Sequence, residues 1–184
     1  MTPTQVPKAT LDKAIKGAKS AGELNSEFIY EVRGPGRVAI LVECLTKKRT
    51  YMPIALIPVT RKVGATQESG LLNMFEKKGI ILAAQKQGSS FDDAETDGIE
   101  VGAEEVAWAG EEEEGLLEFT TGPSDLAKVQ AEMEKLGYSV QEASITYIPT
   151  TTMEVAGVEA GALQKLFTLL EGVDMVTGVH HNAV

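Results

Sequence analysis

The sequence is poor in the residues that do covalent chemistry. It has one cysteine, Cys44, and two histidines, His180 and His181, in 184 residues. A lone cysteine excludes an internal disulfide framework and fits a reducing compartment. Set in the run "VAILVEC", it reads as a small buried hydrophobe. The histidines are adjacent in a stretch with strand character, so their side chains point to opposite faces and do not converge on one ion. They read as surface or edge residues. Apolar runs are too short to cross a bilayer, which needs about 20 residues. Aromatics make up 5% of the chain, and with Tyr30 and Tyr51 nearest the basic residues, stacking platforms for single strands are weakly supported.

Motifs of nucleotide and hydrolase chemistry are missing too. The turn Gly34-Pro35-Gly36 is followed by Arg37 and a β-rich run. A Walker loop or a dinucleotide-binding loop instead opens a helix, whose amides face the phosphates. "TTGPS" and "PTTT" offer hydroxyls without a nucleophile elbow. Glu111–Glu114 lacks interleaved ligands at EF-hand spacing and reads as a solvated loop. No enzyme, cofactor, metal site or small-molecule substrate is expected.

What the chain does have is charge with a polarity. The net charge is −10, which by itself argues against a nucleic-acid partner. Residues 1–62, however, sum to +6 and residues 63–184 to −16. The front part carries Lys8, Lys13, Lys16, Arg33, Arg37, Lys47, Lys48, Arg49, Arg61 and Lys62. Arg33, Arg37 and Lys47–Arg49 flank one expected hairpin and read as one positive patch. Such a patch engages phosphates in a salt-dependent, largely sequence-blind way, and it suits folded RNA read by shape.

The pattern of apolar residues predicts an α+β chain. Leu11, Ala14, Ile15 and Ala18 share one face of a short N-terminal helix ending at Gly17 and Gly22. "EFIYEVRG" and "RVAILVECLT" read as strands joined at Gly34-Pro35-Gly36. "YMPIALIPVTRKVG" reads as a helix that Pro58 kinks or breaks, whereas Pro53 is tolerable in a first turn. "LLNMFEKKGIILAAQ" reads as two strands about Lys77-Lys78-Gly79. After a Gly-Ser linker, Phe91–Gly102 reads as a helix, "EEVAWAG" and "GLLEFTTG" as strands, and a further helix starts at Pro123 and stops at Gly137. "YSVQEASITYIP", a helix carrying Leu163, Leu166, Phe167 and Leu170, and the strand "DMVTGVHHNAV" complete the chain. Residues 72–147 thus run β, α, β, β, α, β, the ferredoxin-like order. The whole reads as two small ferredoxin-like α/β units, one inserted into the other. Their bounds are 1–22 for the helical remnant, 23–71 with 148–184 for the discontinuous unit, and 72–147 for the insert.

Four segments together resemble the YebC/PmpR family, whose mitochondrial branch includes a translational activator of cytochrome c oxidase subunit one. They are "VPKATLDKAIKGA", "IYEVRGPGRVAILVECLT", "MFEKKGII", and "ITYIPTTTMEV" with the terminal "VHHNAV". They keep their order and span Pro7 to the C-terminus. The resemblance implies a helical N-terminal domain and two α/β domains, the last inserted into the middle one. It implies either a DNA-binding transcriptional regulator or a ribosome-associated translation factor, the latter acting at consecutive prolines.

Read with the charge polarity, it favours a non-enzymatic translation factor on rRNA or mRNA. The alternatives are a regulator on duplex DNA and a protein-interaction module without nucleic acid. The variant "VPKATLDKAI" points to the mitochondrial matrix, with a bacterial cytoplasm as the alternative. The sequence departs from the family where Arg37 replaces the second glycine of Gly-Pro-Gly-Gly and Lys48-Arg49-Thr50 replaces Asn-Arg-Thr. The family's basic first helices are also absent, which implies weaker nucleic-acid binding.

Overall fold

A computed structural model of the protein describes residues 25–111 and 115–184. The expected N-terminal helix, with Lys8, Lys13 and Lys16, and most of the acidic run lie outside them. The described chain divides into two compact units. One holds residues 25–76 and 149–184, the other 77–148.

The first unit opens with β1 (Ser26–Arg33) and β2 (Ala39–Thr46), paired antiparallel from Ser26↔Thr46 to Arg33↔Ala39. Helix α1 (Tyr51–Arg61) follows, then the short β3 (Thr66–Gln67) and a 3-10 turn at Leu71–Met74. Pro58 does not break α1, which runs unbroken from Tyr51 to Arg61. It sits near the C-terminal end, and the carbonyl it leaves unbonded belongs to Ile54, whose side chain is at the surface. A proline so placed costs one bond at a solvated position. Helix α1 buries Met52, Leu56 and Thr60 along one face.

Four-stranded ferredoxin-like sheets hold both units. In the second unit β4 (Phe75–Ala84), α2 (Phe91–Val101), β5 (Glu105–Trp108), β6 (Leu116–Thr121), α3 (Leu126–Lys135) and β7 (Ser139–Pro149) form a sheet of order β5-β6-β4-β7. Ile81, Ala83, Leu117, Phe119, Val129 and Met133 make its core. The chain then returns to the first unit with α4 (Gly157–Glu171) and β8 (Val176–His181), completing the order β3-β1-β2-β8. Val32, Ile40, Val42, Cys44, Leu56, Leu163, Leu166 and Leu170 fill the core of that unit.

Three local expectations change. Residues 75–84 form one continuous strand, because Gly79 serves a close approach and not a turn. A Cβ there would lie 2.9 Å from Thr121 Cγ2 and 3.0 Å from Leu126 Cδ1. Ser90 is no linker residue but caps α2, accepting from the Asp93 amide while Asp93 accepts from the Ser90 amide, a reciprocal capping box. Helix α3 starts at Leu126, with Pro123–Asp125 forming a turn before it.

A basic loop and a tethered arginine

The Gly-Pro-Gly turn is a five-residue connection, Gly34–Val38, closed by Gly34 N–H donating to Val38 O (2.9 Å) and Arg37 N–H donating to Gly34 O (3.1 Å). Gly36 and Arg37 both have positive φ, 67° and 63°, and Arg37 is the one non-glycine residue of that kind among the described residues. A left-handed backbone costs a side-chain-bearing residue about 1–2 kcal/mol. Val155 and Glu159 wall the turn on the Gly36 side.

Arg33, at the end of β1, is fully engaged. Its Nη2 and Nε meet the Glu68 carboxylate at 2.8 and 3.1 Å, and its Nη1 donates to the Arg37 carbonyl at 2.9 Å. The bidentate pair holds the Glu68 carboxyl below its usual range and raises Arg33. Glu68 was not singled out from sequence, since its partner lies 35 residues away and nothing local marks it.

The basic residues do not form one patch. Arg33 and Arg37 lie at the turn end of the hairpin, whereas Lys47, Lys48 and Arg49 follow the far end of β2. Eight residues of strand separate the two groups, about 23 Å at strand rise. Lys47, Lys48 and Arg49 are exposed and lead into α1. Their loop is fixed by the Tyr51 and Met52 amides donating to the Lys48 and Arg49 carbonyls at 3.0 and 3.2 Å. Arg61 and Lys62, also exposed, close the other end of α1.

Nor do the halves of the sequence map onto halves of the molecule. The described part of the first unit carries eight Lys/Arg against nine Asp/Glu, because acidic residues return with α4. The unit of residues 77–148 carries five against sixteen. The acidity is therefore a property of one unit, and the cations stand on a nearly neutral one.

The other reactive groups are structural. Burial and the neighbouring Glu43 push the Cys44 thiol up to about 12, so it stays protonated and inert. The histidines are on an edge strand but are not surface groups. His180 Nε2 lies 3.4 Å from Glu43 Oε2, and His181 stacks on Phe167 with ring centroids 4.5 Å apart. Burial lowers the His181 pKa. Among the described residues no group of three His, Cys, Asp or Glu is placed to hold a metal ion, and no helix is long and apolar enough to cross a membrane.

Residues 25–183 match the model of the TACO1/YebC second and third domain. The chain belongs to the TACO1/YebC family. A probable transcriptional regulatory protein of Deinococcus radiodurans is 39% identical, over 97% of this chain and 72% of that relative. One of Clostridium novyi, described in the same words, is 36% identical over the same shares. A conserved hypothetical protein of Aquifex aeolicus has a crystal structure that superposes with a TM-score of 0.74 at 33% identity. That likeness covers 97% of this chain and 73% of the other. These relatives are bacterial. Ala39, Thr151 and Asn182, which lie in stretches that carry the resemblance, share hydrogen bonds.

Proposed function

We propose that this TACO1/YebC protein is a non-enzymatic regulator that contacts nucleic-acid phosphates and acts by occupying its site, with no bond made or broken. The observation that carries this reading is the Lys47-Lys48-Arg49 loop, three exposed cations held at the start of a helix on the less acidic unit. Arg61 and Lys62 at the other end of α1, and Arg37 at the opposite end of the hairpin, are further cations of the same unit, and Arg33 positions the Arg37 backbone. Lys8, Lys13 and Lys16, outside the described residues, add to the positive charge of the sequence. The names of the bacterial relatives support duplex DNA as the partner and the bacterial cytoplasm as the location.

One observation favours the second reading, structured RNA of the ribosome or a transcript. The cations stand in loops and at helix ends, and α1 has Arg61 as its sole base. Such placement fits shape and phosphate contacts better than a helix laid in a major groove. Competition at fixed salt between a duplex DNA and a structured RNA of equal length decides between them. Preferential retention of duplex supports the transcriptional reading, preferential retention of RNA the translational one, and absence of binding to both rejects nucleic-acid contact.

A further inference from the structure

Helix α1 is apolar on its solvent side as well as its core side. No charged or amide side chain occurs from Tyr51 to Val59. Met52, Leu56 and Thr60 face the core, while Tyr51 and Ile54 are 44% and 73% exposed and Pro58 is exposed beside them. The spacing 51, 54, 58, 61 keeps these side chains on one stripe ending in Arg61. A helix that is apolar all round is ordinarily covered. Cations bracket the stripe, with Lys48 and Arg49 before it and Arg61 and Lys62 after it.

We infer that the outer face of α1 docks an acidic protein segment with an aliphatic centre and carboxylates at both ends. This goes beyond phosphate contact, because phosphates use the cations but give Ile54 and Pro58 nothing apolar to meet. Charge complementarity selects the occupant: Arg49 and Arg61, the nearer cations at the two ends of α1, stand twelve residues or about 18 Å apart at helical rise, matching acids about twelve helical residues apart in a partner helix. An anionic membrane fits less well. The net charge of −10 is repelled by such a surface.

The test uses the full chain and a fluorescent helical peptide with a Leu/Ile centre flanked by glutamates, read by anisotropy. Saturable binding is expected, weakened about tenfold by Ile54→Gln, as loss of one buried aliphatic contact predicts, and weakened also by Lys48→Gln with Arg49→Gln. A glutamine-flanked peptide is expected to bind poorly. Ile54→Gln is expected to leave thermal stability and duplex-DNA binding unchanged, so failure here is distinct from failure of the nucleic-acid reading. Three results overturn the inference: equal peptide binding by the Ile54→Gln variant, Ile54-dependent binding to phosphatidylserine vesicles but not to the peptide, or Ile54-dependent self-association without peptide binding.

Discussion

The side chain of Asn182 accepts the Ala39 amide at 2.9 Å across 143 residues of sequence. The same side chain donates to the Thr151 carbonyl at 3.1 Å, and Asn182 is 1% exposed. One buried amide therefore ties the start of β2, the segment after β7 and the C-terminal end of the chain. Asn182→Ala leaves the buried Ala39 N–H unpaired and removes the bond to the Thr151 carbonyl, and is expected to cost about 1–3 kcal/mol. Urea unfolding checks this, and an unchanged midpoint contradicts it.

Arg37 is expected to trade stability for binding. Arg37→Gly removes left-handed strain of about 1–2 kcal/mol and adds unfolded-state freedom of about 0.5–1 kcal/mol. The net expectation is a gain of about 0.5–1 kcal/mol, with weaker nucleic-acid binding from the lost cation. A variant both less stable and equally avid contradicts the assignment.

Gly79→Ala tests the strand that was expected to be a turn. Its methyl meets Thr121 Cγ2 and Leu126, and overpacking of that kind costs about 1–3 kcal/mol. Hydrogen exchange of β4 and β6 amides is the direct reading. Faster exchange there is expected, and unaltered protection would restore the turn.

His181 gives the first unit a pH dependence. Burial lowers its pKa in the folded state, whereas an unfolded histidine titrates near 6.5, at about the model-peptide value. The unfolded chain therefore binds the proton first as pH falls below about 6.5, and folding stability declines until the folded pKa is passed. Above that window this contribution is constant. Unfolding free energies at pH 7.5 and 5.5 are expected to differ more for the native protein than for His181→Phe, which keeps an aromatic ring against Phe167. An equal difference contradicts the role of His181.

The sequence made the α+β class and the order of the insert legible because each element there carries its own period and its own stop residue, as with Val129 and Met133 on α3. It failed where a residue's role depends on a distant neighbour. Gly79 looks like a turn until Thr121 and Leu126 are placed over it. Ser90 looks like a linker until Asp93 reaches back. The basic residues were visible, but their grouping was not, because a hairpin brings its strands together while holding its two ends apart. Asn182 stood in a recognised family ending, yet its partners, Ala39 and Thr151, appear only in three dimensions.

Phosphate contact through the loop before α1 is the proposed basis of binding. Its most direct measurement is the salt dependence of affinity for a fluorescent duplex, compared between the native chain and the variant Lys47→Gln, Lys48→Gln, Arg49→Gln. Each phosphate contact contributes about 0.9 to the slope of log affinity against log salt. Weaker binding is expected for the variant, with a slope shallower by about 2–3. An unchanged slope, with both proteins folded, would contradict it.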